Sequence, residues 1–124
     1  VAQSAIDPDE MLPAVAQGAI GIERRADDQG CAMLLSSIND PLTALRIEAE
    51  RAFLRRLDGS CQTPIAGLAT LNGGRMTLRG EILRPDGSEV VAGVRNGLTS
   101  DGAAMGTDLA EELLSRAGPG FLIA

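Results

Sequence analysis

Between Arg75 and Arg84 the chain reads RMTLRGEILR, with Met76, Leu78, Gly80 and Ile82 on one parity and Arg75, Thr77, Arg79 and Glu81 on the other. Side chains of a strand alternate between its two faces, so this stretch reads as a strand with one packed face and one wet face. A sheet built around it takes its covering layer on one side only. Two further strand-like stretches flank it, Pro64 to Leu71 and Glu89 to Asn96. The turn signals Asn72-Gly73-Gly74 and Pro85-Asp86-Gly87 separate them from it. Strands joined by turns this short form an antiparallel meander.

Helical patterns lie on either side of the meander. Asp40 is placed to cap a helix with Pro41 at its first position. Leu42, Leu45, Ala49, Ala52, Phe53 and Leu57 recur on one face at three-and-four spacing, with Arg46, Glu50, Arg51 and Arg55 elsewhere and Gly59 as the expected terminator. From about Asp101 to Ala117, Met105, Leu109, Ala110, Leu113, Leu114 and Ala117 form a second apolar stripe that ends at Gly118-Pro119. The layout from Asp40 onward predicts an α+β fold, an open-faced three-stranded antiparallel sheet covered by helices on one side.

The N-terminal third is less regular. Asp7, Pro8 and Glu10 signal a helix start that Pro13 stops after a turn or two. Gln17 to Arg25 reads as a buried strand whose partners are either absent from this chain or supplied by the later strands. Cys31 to Ile38 is apolar enough for a short helix closed by Asn39 and Asp40. The start VAQSAIDPDE, without an initiator Met or a signal-peptide pattern, reads as a position inside a longer protein.

Composition narrows the chemistry. With only Phe53 and Phe121 as aromatics, the core is aliphatic and base stacking is not an available binding mode. A net charge of −6, from 11 basic and 17 acidic residues, argues against a nucleic-acid or acidic-membrane surface, although a local arginine pocket for a carboxylated ligand stays open. No apolar run approaches the ~20 residues that span a bilayer, so a soluble chain is expected. Two cysteines, Cys31 and Cys61, point to a reducing, cytoplasmic setting rather than a disulfide scaffold.

The absence of histidine excludes Ser-His and Cys-His nucleophilic pairs within this chain. Two separated cysteines give no zinc site, so no metal is expected. The glycines of QGAIG have no lysine for a phosphate loop. Cys61 remains, in the loop DGSCQTP between a helix and a strand. Arg55 and Arg56 favour its thiolate, while the end of the preceding helix opposes it. It reads either as a small turn-filling residue or as an exposed nucleophile. Cys31, on an apolar stretch, reads as a core residue.

Three segments carry a family resemblance. ERAFLRRLDGSCQTPIAG, Glu50 to Gly67, resembles the cofactor-attachment signature of hydroxymethylbilane synthase, also called porphobilinogen deaminase. MLPAVAQGAIGIERR, Met11 to Arg25, is similar to the family segment Leu-Pro-Ala-x-Gly-Gln-Gly-Ala-[Ile/Val]-Gly-[Ile/Val]-Glu, with Ala16 replacing the first glycine. MGTDLAEELL, Met105 to Leu114, is similar to the family's last helix, and Ser60 stands where many members have glycine.

The resemblance implies a three-domain enzyme. Residues 1–28 would be the C-terminal end of its second, α/β domain, with a terminal strand, and 29–124 the third, cofactor-attachment domain. It implies head-to-tail condensation of four porphobilinogen units with release of ammonia, on a dipyrromethane cofactor held by a thioether to Cys61. Loss of ammonia from porphobilinogen leaves an electrophilic methylene carbon, for which a thiol is a suitable nucleophile. Gln17 and Gly18 match the segment lining the cofactor and substrate cleft. No catalytic residue falls in this chain, since the resemblance puts the catalytic carboxylate in the first domain. The isolated chain is therefore expected to be inactive, and the full protein to be a cytoplasmic monomer without nucleic-acid or membrane partners. Two other classes are weighed against this: a non-catalytic α+β interaction domain, and a thiol redox-sensing domain using Cys61.

Overall fold

The structure, a computed structural model, describes residues 3–59 and 63–122. Strands β1 (Ile65–Asn72), β2 (Arg75–Leu83) and β3 (Val90–Leu98) form one antiparallel sheet in the order β1-β2-β3. Asn72 pairs with Arg75 across a two-residue turn in which Gly73 and Gly74 both have positive φ, 54° and 80°. Glycine adopts that conformation without the steric penalty other residues incur, which is why the first hairpin turns there. The alternation in β2 holds: Met76, Leu78, Gly80 and Ile82 are all buried.

Helices α1 (Gln29–Ser36), α2 (Pro41–Arg56) and α3 (Gly102–Ala117) complete the fold, the last entered through a single 3-10 turn at Thr99–Asp101. Asp40 caps α2, its carboxylate accepting the Thr43 N–H at 2.6 Å, and that bond holds the Asp40 carboxyl below its ordinary range. Helices α2 and α3 pack together on the inward face of the sheet, and their stripes form one core with it, including Ala49, Phe53, Leu57, Leu109, Ala110 and Leu113. Beyond α3, Phe121 is buried against this core and Arg84 lies 4.7 Å from its ring centroid.

The helices approach the sheet closely because glycines face them. Gly67 pairs with Gly80 and Gly80 with Gly93, a row across all three strands. A Cβ on Gly80 would lie 2.6 Å from the Phe53 ring, and one on Gly93 2.8 Å from Leu109. Ion pairs then pin the outer side of α3: Arg95 on β3 meets Asp108 and Glu112, and Arg116 joins Glu112. Hydrogen bonds from Arg95 and then Arg116 hold the Glu112 carboxyl below its ordinary range.

Several expectations are corrected. The left-handed residue ending α2 is Asp58, φ 53°, rather than Gly59. Gly59 is instead crowded, since a Cβ there would come within 2.5 Å of Leu54 and 2.7 Å of Ile65. The stretch after Asp7 is a single turn, within the turn or two expected before Pro13, with the Glu10 and Met11 amides donating to the Asp7 carbonyl. Gln17 to Arg25 forms no strand, and Ile20 is 94% exposed. A strand needs a ladder partner, and none of the three strands supplies one. Cys31 is half-buried rather than core, on a helix with no buried residue. The outward face of the sheet is partly covered by the N-terminal segment: Leu12 is 6% exposed and Asp9 pairs with Arg79.

The tightest contact in the fold is between α2 and α3. A methyl at Gly106 would meet the Ala49 carbonyl oxygen at 2.3 Å and the Phe53 nitrogen at 2.8 Å, both backbone atoms that cannot rotate away. Gly106→Ala is expected to cost about 3 kcal/mol in urea unfolding, whereas Gly30→Ala, on the exposed helix α1, should be within about 0.5 kcal/mol of the parent.

Candidate functional site

On α2 the residues Thr43, Arg46, Ile47 and Glu50 follow one another at three-and-four spacing and so share a face. That face borders the apolar stripe and points toward the free edge of β1. The Thr43 hydroxyl accepts a hydrogen bond from the Arg46 guanidinium at 3.0 Å, which fixes the direction of the arginine.

Glu50 is 4% exposed, the one charged residue buried among the described residues. Its two carboxylate oxygens are each taken by a backbone amide: Ala69 on β1 donates to one at 2.8 Å and Ala16 to the other at 2.7 Å. A buried charge is tolerated where such donors replace its water. Alongside, the Gly67 amide donates to the Pro13 carbonyl at 3.0 Å, and Ala14 forms an antiparallel bridge with Ala66. Residues 13–16 therefore cover the β1 edge, and Glu50 is the side chain that joins helix, strand and segment.

Where segment and helix diverge they leave a cleft of about 220 Å³, lined on one side by Gln17 and Gly18 and on the other by Thr43, Arg46 and Glu50, with Gly67 to Ala69 at its base. This is below the ~300 Å³ at which cavities begin to enclose a drug-sized molecule, so it suits one arm of a larger ligand. Gly18 has φ 79°, and the space a side chain would take there is open. Ala16, in the position where the resemblance expects glycine, also has a positive φ of 60°. Such a conformation in a residue with a Cβ costs roughly 1 kcal/mol and persists because neighbouring bonds impose it, here the amide held by Glu50.

Of the residues singled out from the sequence, Gln17 and Gly18 lie together at this cleft. Cys61 lies outside the described residues. The described residue Pro64, just before β1 and three residues before Gly67, accepts the Leu83 amide at 3.0 Å. At ~3.3 Å per residue that is about 10 Å from the cleft floor. Thr43, Arg46 and Glu50 were missed as site residues because they read as the polar side of α2. The available signal was that Glu50 sits between Ala49 and Ala52-Phe53, at the border of the apolar stripe.

Residues 44–115 match the family model described as porphobilinogen deaminase, C-terminal domain, and residues 1–33 match that described as porphobilinogen deaminase, dipyromethane cofactor binding domain. The chain belongs to the porphobilinogen deaminase family. It is 70% identical to the porphobilinogen deaminase of Paracoccus denitrificans (strain Pd 1222) over 121 residues, 98% of this chain and 39% of that protein. It is 49% identical to that of Nitrobacter winogradskyi over 116 residues, 94% of this chain and 37% of that protein. The chain thus spans 39% or less of these porphobilinogen deaminases. No helix among the described residues is long and apolar enough to cross a membrane.

The clamp at Glu50 can be tested in the chain itself. Glu50→Gln leaves one acceptor oxygen for two amides and turns an NH2 toward a donor. The expected cost is about 2 kcal/mol in urea unfolding, with faster hydrogen exchange at Ala16 or Ala69.

Proposed function

We propose that this chain is the cofactor-attachment part of an enzyme that condenses four porphobilinogen units into hydroxymethylbilane, with release of ammonia. In this reading a dipyrromethane cofactor is held by a thioether to Cys61 and contacted by Gln17 and Gly18. The observation that carries the reading is that the two matched family segments meet at one cleft: residues 1–33 bring Gln17 and Gly18 to it, and residues 44–115 bring Arg46, Glu50 and the edge of β1.

The residues present suit such a group. Gly18 leaves its approach open, Gln17 offers an amide able both to donate and to accept, and Arg46 offers a cation. When bound, the dipyrromethane supplies the pyrrole carbon to which the first porphobilinogen unit is joined. Cys61 serves as an anchor and needs no histidine, since a thioether neither gains nor loses a proton during turnover.

The same reading takes residues 1–28 as the C-terminal end, with its terminal strand, of a second α/β domain and 29–124 as the third domain. Exposed Ile20 and Ile22 suit a strand that pairs with parts of the full protein outside this chain. The full enzyme is read as a cytoplasmic monomer, and its net acidic third domain does not favour nucleic acid. This chain alone is inactive in this account, because it lacks groups that stabilise the cationic pyrroles formed during condensation.

The test uses the full-length protein and porphobilinogen, with ammonia and hydroxymethylbilane as readouts. Unmodified protein is expected to turn over, and Cys61→Ala to lose about 100-fold or more, as expected when an anchored reactant is lost. Turnover by a folded Cys61→Ala protein at the parent rate would remove the anchor from the account. No turnover by the unmodified protein would remove the activity.

A further inference from the structure

The sheet has two outer strands, and the N-terminal segment covers the edge of β1 alone. β3 is the other, 9 residues long, and no strand among the described residues pairs with it on its far side. The Thr99 amide donates to the Gly74 carbonyl and the Arg84 amide to the Glu89 carbonyl, one step beyond either end of the β2–β3 register. Ladder bonds to β2 therefore fall on the odd-numbered residues. Val90, Ala92, Val94, Asn96 and Leu98 turn their N–H and C=O groups outward instead. A bare edge of this kind is a template for another strand. This one is also self-complementary, since Val94 is the midpoint of β3. An antiparallel second copy centred there would set Val94 against Val94 and Val90 against Leu98, side chains that are each about half exposed.

Two of the outward carbonyls are occupied. Arg116 donates to the Ala92 carbonyl at 2.8 Å and Arg95 to the Val94 carbonyl at 3.1 Å. Both guanidinium groups are held from α3, Arg95 by Asp108 at 2.5 Å and Glu112 at 2.6 Å, Arg116 by Glu112 at 2.9 Å. An incoming strand would have to take the carbonyls from donors that carboxylates keep in place. We propose that Arg95 and Arg116, held by Asp108 and Glu112, close the β3 edge to a second copy of this chain. The network keeps the protein monomeric by occupying the carbonyls at the centre of the strand, the ones a symmetric partner needs first. Exposed ion pairs contribute little to stability by themselves, so the place of this network on the edge is what gives it a role. The proposal concerns self-association and does not depend on the activity.

The test is sedimentation of the full-length protein over a range of concentrations, together with hydrogen exchange at the Val94 amide. The parent is expected to stay monomeric, with that amide exchanging freely. In the double variant Arg95→Ala, Arg116→Ala, self-association should tighten about 100-fold or more, and the Val94 amide should be protected in the dimer. Adding Val94→Pro, which removes an outward amide and spares the ladder to β2, should restore the parent's behaviour. Arg116→Ala alone serves if the double variant does not fold, and should shift association the same way by less. A folded variant that associates no more than the parent would overturn the proposal. So would association that Val94→Pro leaves intact, the mark of a different contact surface. A parent already dimeric, with its Val94 amide protected, would overturn it equally.

Discussion

The row Gly67, Gly80 and Gly93 determines how closely a helix can lie on this sheet, and the rest of the structure follows from that approach. Phe53 occupies the space over Gly67 and Gly80, Leu109 the space over Gly80 and Gly93. With so few aromatics available, a large fully buried ring is the most effective single contribution to the core, and it can be seated only where the strands carry no Cβ. Gly106 performs the matching function between the helices, where even a methyl would strike the backbone of α2. Depth of approach is thus set by missing side chains as much as by those present.

Seating Phe53 also seats Glu50, one helical turn earlier on the same helix. The carboxylate is carried to the edge of β1, where a strand with no neighbour on that side has amides to satisfy. Glu50 satisfies one of them directly and holds the Ala16 amide with its other oxygen, drawing the N-terminal segment across the edge. The bond explains why Ala16 keeps a left-handed backbone despite its methyl group. It also leaves Gln17 and Gly18 opposite Arg46, so the cleft is a product of the same packing that makes the core. Core, edge protection and candidate site are linked through α2.

Much of this was legible in the residues. The parity of Met76, Leu78, Gly80 and Ile82 announced a one-sided sheet, Asn72-Gly73-Gly74 a tight hairpin, and Asp40-Pro41 a capped helix, because each depends on neighbours only a few positions apart. Elements set by distant contacts were not legible. Glu50 reads as a solvated helix residue until residues 13–16, more than 30 positions away, are laid over it. Leu12 and Asp9 lie over the outward face of β2 for a similar reason, which made that face drier than its own polarity indicated. The apolar stretch around Ile20 reads as a buried strand, but within this chain it has no ladder to join, and Cys31 lies on a helix that buries none of its residues. Gln17 and Gly18 were singled out by motif, whereas Arg46 joins them at the cleft only once α2 is packed beside the N-terminal segment.

The account's central claim is that Cys61 is a covalent anchor for the cofactor rather than a turn-filling residue. Intact-mass measurement of the purified full-length protein, followed by peptide mapping across the segment containing Cys61, tests it most directly. The account predicts an added mass equal to two linked pyrroles, confined to the Cys61 peptide. An enzyme that turns over porphobilinogen while Cys61 is unmodified, or that carries the added mass on Cys31, would contradict it.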